Sequence, residues 1–254
     1  MSKHQIGNIL FGIFTLGYGF GFFFWNWPIS IYFIILLIYV FIIVYGSFQI
    51  KANYHLKAIS AVKTQQKVVA ITFDDGPTKF TEKILKHFEN QPHKATFFCV
   101  GEKIKQHPEI FKKIIKQNHQ VGNHTFSHST KMGFKSKAEI LTEIQKTDEV
   151  IQQFTSQKNE LFRPPFGVTN PNIRKALQQT QHRVIGWKIR SFDTRLKDEN
   201  KILKRICQQI TPGSIILLHD TSEKTEKVVK KLLDFLNEKS YRSMTIEELL
   251  KLEK

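Results

Sequence analysis

Short apolar strands alternate with amphipathic helices across residues 67–254, and this predicts an α/β domain with a mostly parallel sheet. A barrel-like arrangement fits the pattern. Two further observations shape the prediction. Ionisable residues fall at the ends of successive strands, where parallel α/β folds gather their sites on one face. Two uncharged apolar segments of about twenty residues precede the domain, each long enough to cross a bilayer as a helix.

The apolar segments cover 6–25 and 28–48, with only Asn26-Trp27 between them. Trp25 and Trp27 fall where an aromatic belt is expected, and Tyr45 suits the other interface. Gly7, Gly12, Gly17, Gly19 and Gly21 weaken the first helix but allow close packing on its neighbour. A secretory signal would have a shorter apolar core, a small-residue cleavage site and no second span. The predicted organisation is a transmembrane helical hairpin over 1–50, a polar connector over 51–66 and the α/β domain over 67–254. A helical extension through Tyr54-His55-Leu56 is one option for the connector.

Within the domain, Val68–Phe73 is a β-branched apolar strand that stops at Asp74-Asp75, where Gly76-Pro77 turns the chain away. A helix follows over Phe80–Asn90 with Thr81 as its cap, then a strand over Lys94–Val100. Pro108–Gln117 is a helix with proline in its first turn, and Gln120–Asn123 a short strand. Ser136–Thr155 is a long amphipathic helix with Ile140, Ile144, Thr147 and Ile151 on one face. Leu161-Phe162, Arg183–Trp187 and Ser214–Leu218 are strands. Pro171–Gln179, Asp198–Gln209, Lys224–Lys239 and Thr245–Leu252 are helices.

The 38 Lys and Arg against 22 Asp and Glu give a net charge of +16. Such a balance suits nucleic acid, a membrane surface or an anionic glycan. No nucleic-acid motif is present, and most lysines are spread over helix faces. Nucleic acid is therefore not an expected partner. Lys51, Lys57, Lys63 and Lys67 follow the second span, where they can rest on anionic head groups. The two cysteines, Cys99 in a strand and Cys207 in a helix, give neither a disulfide framework nor metal spacing.

Adjacent carboxylates at a strand end repel each other and resist burial as a charged pair. A nearby cation relieves this and divides the work, one acid binding metal while the other takes a proton. Asp-Asp-Gly-Pro is also a competent turn sequence, so the partners decide. His124-x3-His128 sets two imidazoles on one side of a helical turn, where they can share a cation. With Asp75 they make a two-histidine, one-carboxylate set with open positions, a catalytic rather than structural arrangement. Arg163-Pro164-Pro165-Phe166-Gly167 adds a rigid charged loop whose guanidinium fork can hold a carboxylate. His219 ends an apolar strand, where a satisfied polar residue and a catalyst are both open readings.

In order, Thr72-Phe73-Asp74-Asp75-Gly76-Pro77, His124-x3-His128, Arg163-Pro164-Pro165-Phe166-Gly167 and Leu217-Leu218-His219 resemble the motifs of the polysaccharide deacetylases. These carry the NodB-homology domain of carbohydrate esterase family 4. The resemblance covers residues 67–250 and leaves out the hairpin. It implies a distorted (β/α) barrel and metal-dependent removal of N-acetyl, or O-acetyl, groups from a glycan. It also implies Asp74 as general base and Asp75, His124 and His128 as ligands of one divalent ion. Zinc comes first, with cobalt, iron and manganese as alternatives. By the same resemblance Arg163 orients the base, His219 is the general acid, and the Phe166 N–H is an oxyanion donor. Pro165 and Trp187 join Phe166 in the substrate-binding group.

One motif departs from the family. Asp-x-x-Asp-Trp is usual after a tryptophan-bearing strand, whereas here Trp187 is followed by Arg190-Ser191-Phe192-Asp193-Thr194. Asp193 is the carboxylate left to raise the pKa of the acid histidine and fix its tautomer. The aromatic wall is missing. The expectation is a membrane-anchored deacetylase of an N-acetylated cell-envelope glycan, such as peptidoglycan or an exported polysaccharide. A lipid-linked sugar at the membrane face is the alternative substrate, and a non-catalytic glycan-binding protein is the alternative class. The expected partners are that glycan and the lipid bilayer, in a multi-pass cell-membrane protein with two spans. Flanking lysines favour a cytoplasmic domain, whereas a cell-wall substrate requires the outside.

Overall fold

The computed structural model describes residues 1–253. Its first two helices, α1 (Lys3–Trp25) and α2 (Ile29–Phe48), lie side by side. Phe11 stacks on Tyr39 with ring centroids 4.1 Å apart, and the Tyr39 hydroxyl donates to Asn8 Oδ1 at 2.5 Å. Ile, Leu and Phe side chains stay exposed along both helices, a surface that water does not favour and lipid does. Both helices are long and apolar enough to cross a membrane.

The remaining chain folds as β1 (Ala58–Ile59), β2 (Val68–Gly76), α3 (Lys79–Phe88), β3 (Ala95–Cys99), α4 (Gly101–Gln106), α5 (Pro108–Lys116) and β4 (Gln120–Asn123). It continues through α6 (Lys137–Gln152), β5 (Leu161–Phe162), α7 (Pro171–Thr180), β6 (Arg183–Ile185), β7 (Ile189–Arg190) and α8 (Glu199–Cys207). β8 (Ser214–His219), α9 (Glu223–Glu238), β9 (Arg242–Ser243) and α10 (Ile246–Leu250) complete it.

The strands form one parallel sheet in the order β1-β6-β5-β4-β3-β2-β8-β7, with β9 also paired to β2. Only Gly186-Trp187-Lys188 separates β6 from β7, yet β6 pairs with β5 and β7 with β8. One short segment therefore draws the two sides of the curved sheet together, which is the distorted barrel that the resemblance implies. β2 and β8 are covered on both faces, and for that reason they read as continuous apolar runs. Between sheet and helices lies the main core, where Phe73 stacks on Phe97 at 4.8 Å. Phe97→Ala is expected to cost about 3–5 kcal/mol in denaturant unfolding of the detergent-solubilised chain.

Three local expectations need correction. The cap of α3 is Thr78, not Thr81. The Thr78 hydroxyl accepts from Phe80 N–H, while Thr81 is a buried residue of the first turn whose Oγ1 accepts from Thr78 N–H at 2.7 Å. The two threonines thereby close a capping box in which both serve. Residues 51–66, expected as a polar connector, do not form the optional helix through Tyr54-His55-Leu56. Ala58 and Ile59 pair with Val184 and Ile185, and Tyr54, His55 and Val62 are buried. Finally, the histidine pair does not sit on a helical turn. Residues 124–129 form a loop in which Thr125 and His128 have φ of 66° and 47°. The elements α4, β7 and β9 are too short to leave a periodic signal.

Candidate active site

The C-terminal end of β2 carries the two carboxylates. Asp74 is still in register, opposite Phe98 on β3 and His219 on β8. The register then slips between Asp74 and Gly76, and Asp75 adopts φ 75°. Such a bulge re-aims one side chain, so neighbouring acids face different partners. Gly76 must be glycine, because a Cβ there would lie 2.0 Å from Asp220 Oδ2.

Asp74 is buried against Arg163, which is itself fully buried after β5. Arg163 Nη1 donates to Asp74 Oδ1 at 2.7 Å and to Thr72 Oγ1 at 2.8 Å. Its Nε donates to Ile185 O at 3.0 Å and its Nη2 to Gly186 O at 2.9 Å. Every side of the guanidinium is thereby satisfied, which a buried cation requires. Asp74 Oδ2 is left facing His124 Nε2 at 3.8 Å.

Asp75 Oδ1 lies 3.4 Å from His124 Nε2 and 3.1 Å from His128 Nε2. One donor atom from each of Asp75, His124 and His128 falls within 4.8 Å of the others. The donor chemistry suits a divalent ion. His124 Nδ1 donates to Arg163 O at 2.7 Å, which fixes the tautomer that leaves Nε2 with its lone pair. Burial and the neighbouring His124 hold His128 down to about 4 against the pull of Asp75, so it too offers a neutral nitrogen. Burial raises the Asp75 pKa, but the hydrogen bond and charges of His124 and His128 outweigh it, and the carboxyl ends well below its ordinary range.

Glu143 builds the histidine loop, and sequence reasoning missed it. Its carboxylate accepts from the N–H groups of Phe126 at 3.0 Å and Ser127 at 2.8 Å. It also accepts from Ser127 Oγ at 2.8 Å and Lys135 Nζ at 2.5 Å. An acid at the apolar-face position between Ile140 and Thr147 of α6 was the available signal. Glu143→Gln is expected to weaken zinc binding about tenfold in a competition titration, since the loop that aims both imidazoles loses part of its support.

His219 sits across the opening from this group. Its Nδ1 lies 2.8 Å from Asp193 Oδ1, and its N–H donates to Asp193 Oδ2 at 2.8 Å. Ser191 Oγ and Thr225 Oγ1 complete the shell around the buried Asp193. Burial pushes the His219 pKa down, but the Asp193 hydrogen bond and charge, helped by Asp74 and Asp75, lift it to about 9. The imidazole is thus cationic at neutral pH, with Nε2–H free to donate.

Phe166 turns the loop after β5 with φ 59°, and hydrogen bonds from Gly167 N to Pro164 O and Val168 N to Pro165 O tie it off. Its ring lies 4.8 Å from His128 and is half-exposed. Pro165 is buried, and Trp187 lies beneath Gly167, where a Cβ would meet its ring at 2.3 Å. Of the expected substrate-binding side chains, Phe166 alone has a broadly open face.

A family model described as polysaccharide deacetylase matches residues 61–185. A peptidoglycan-N-acetylmuramic acid deacetylase of Bacillus subtilis is 30% identical over 200 residues, covering 76% of this chain and 41% of the relative. A peptidoglycan-N-acetylglucosamine deacetylase of Bacillus cereus is 30% identical over 191 residues, 73% of this chain and 69% of the relative. The chain thus spans about two-fifths of the first of these relatives. Among solved structures, that of the B. subtilis deacetylase has a TM-score of 0.70 at 30% identity, covering 75% of this chain and 93% of that one. A carbohydrate esterase family 4 pseudoenzyme from Bacillus anthracis has a TM-score of 0.70 at 29% identity, covering 76% of this chain and 69% of that one.

Proposed function

This chain belongs to the polysaccharide deacetylase family, and on that premise we propose that it is a membrane-anchored, metal-dependent N-deacetylase of a cell-envelope glycan. Peptidoglycan is the leading substrate, since the relatives above are named for it. The observation that carries the reading is the complete set around one opening. Asp74 is paired with Arg163, Asp75 with two imidazole nitrogens, and His219 with Asp193.

When bound by Asp75, His124 and His128, a divalent ion supplies Lewis-acid polarisation of the acetyl carbonyl and a more acidic water. Arg163 engages Oδ1 of Asp74, and Oδ2 takes the proton of the attacking water. The Phe166 N–H donates to the carbonyl oxygen as it gains charge. His219 gives its Nε2 proton to the departing amine nitrogen, while Asp193 holds the ring from Nδ1. Arg163 orients the base and does not touch substrate.

The test is acetate release from N-acetylated peptidoglycan by the detergent-solubilised full chain. Release that stops with a chelator and returns with zinc supports the reading. Retention of glycan with no acetate released, whatever divalent ion is added, favours the non-catalytic binding protein. Resistance to alkaline carbonate extraction tests α1 and α2 as membrane spans.

A further inference from the structure

Cations without acid partners collect at one side of the catalytic opening. Arg190 ends β7 opposite Leu217, two residues before His219. Arg205 reaches over from α8, its Nε donating to Arg190 O at 2.9 Å, which leaves the rest of its fork free. The Arg205 guanidinium lies 4.5 Å from the Phe192 ring centroid and that of Arg190 lies 5.1 Å from it. Lys51 Nζ donates to Lys188 O at 2.5 Å, and Lys188 Nζ to Thr211 Oγ1 at 2.7 Å, so the segment after α2 brings its charge beside the start of β7. Among the described residues, none of Lys51, Lys188, Arg190 and Arg205 has a carboxylate within 4.0 Å. Burial, with the charges of Lys188 and Arg205, lowers the Lys51 pKa, a cluster repelling itself. Asp193, the acid beside Arg190, already accepts from Ser191, Thr225 and both donors of His219.

The same opening abuts the base of the hairpin. Thr169 N–H, just past the Phe166 turn, donates to Ser47 O of α2 at 2.9 Å. Asn170 Nδ2 holds Gly133 O at 2.7 Å, so the loop bearing Phe134 lies beside it. Beyond residue 48, Phe134 at 92% and Phe166 at 49% are the large apolar side chains left exposed among the described residues. Both loops follow strand ends on the catalytic side. An aromatic tip and unpaired arginines beside the end of a membrane span match the two layers of a bilayer surface, acyl boundary and phosphate.

We propose that the catalytic mouth faces the bilayer and that Arg190, Arg205 and Lys51 seat a phosphate ester there. The substrate is then a glycan whose acetamido sugar is joined through phosphate to a membrane-embedded lipid. The proposal rests on the deacetylase reading for its chemistry, which is unchanged. The water oxygen bonds to the acetyl carbon, the C–N bond breaks, acetate leaves and the amine takes a proton. Arginine forks suit a phosphate because two parallel N–H groups meet two of its oxygens.

The experiment uses the full chain in phosphatidylcholine nanodiscs, stripped of metal so that phosphate has no ion to bind. Affinities are measured for geranylgeranyl diphosphate, geranylgeraniol and inorganic diphosphate. The lipid diphosphate should bind best. Arg190→Gln with Arg205→Gln should weaken it about tenfold or more. Equal binding by the double variant overturns the subsite. Equal binding of inorganic diphosphate, or loss of the lipid diphosphate's advantage in phosphatidylglycerol nanodiscs, overturns the lipid-linked substrate, since free phosphate or head groups then fill the site. Acetate release by the zinc-loaded chain from a soluble N-acetylglucosamine oligomer is scored in parallel. Release without diphosphate binding overturns the subsite alone. Diphosphate binding without release from any acetylated sugar overturns the deacetylase reading and leaves the subsite standing.

Discussion

Asp74→Asn is expected to lower acetate release by about 10²–10⁴-fold while the chain still folds and binds zinc. The amide has the size of the carboxylate, and its oxygen can go on accepting from Arg163 Nη1. What it cannot do is take a proton at the other position. Arg163 keeps Thr72 Oγ1, Ile185 O and Gly186 O, so the buried guanidinium retains most of its hydrogen bonds. It does lose its counter-charge, and breaking a buried pair by deleting one partner costs about 3–5 kcal/mol. The variant should therefore be less stable yet native in near-ultraviolet circular dichroism. Zinc affinity, read by calorimetry, should stay close to wild type because Asp75, His124 and His128 are untouched. Near-normal acetate release would remove Asp74 from the role of base.

That separation between Asp74 and Asp75 was legible in the sequence only in part. Two acids at the end of an apolar strand announce a shared cation, but not which acid meets the histidines. The bulge after Asp74 decides that, and a bulge leaves no periodic trace. The spacing of His124 and His128 likewise paired these two residues, but through the wrong local structure. Their imidazoles converge because Glu143 gathers the N–H groups of a loop, not because four residues make a helical turn. Strands such as β2 and β8 were plain, since burial on both faces demands unbroken apolar runs. β1, β7 and β9 are two-residue strands held by neighbours far away in sequence, so no local pattern specifies them.

The segment after α2 carries a related lesson. Its residues read as a polar connector, yet His55 is buried with Nε2 3.0 Å from Ser47 Oγ, and Tyr54 fills the space left by Gly46. A Cβ at Gly46 would meet the Tyr54 ring at 2.4 Å. Gly46 thus lets the segment after α2 pack against that helix. Tethering by contact, rather than by a free linker, gives the catalytic opening a fixed relation to the hairpin.

Asp193→Asn is expected to move the alkaline limb of the pH–rate profile from about 9 towards the ordinary histidine value of 6.5. His219 acts as an acid, so activity needs its protonated form and falls as pH rises through its pKa. In the wild type, burial works against that form, and the hydrogen bond and charge of Asp193 more than compensate. Removing the charge leaves burial in place and only the more distant Asp74 and Asp75 to oppose it. If the pKa returns to 6.5, about one ring in thirty is protonated at pH 8, a loss of about 30-fold from ionisation alone. An amide facing Nδ1 can also donate and stabilise the wrong tautomer, which adds to the loss. Activity should recover in part near pH 6. Stability follows the same sign. A folded-state pKa above the unfolded one stabilises fully below 6.5 and loses that contribution as pH climbs through about 9. Unfolding midpoints of wild type and variant should therefore converge at high pH and diverge near pH 6. A variant whose pH–rate profile keeps its wild-type alkaline limb would show that the proton reaching the amine does not come from His219 poised by Asp193.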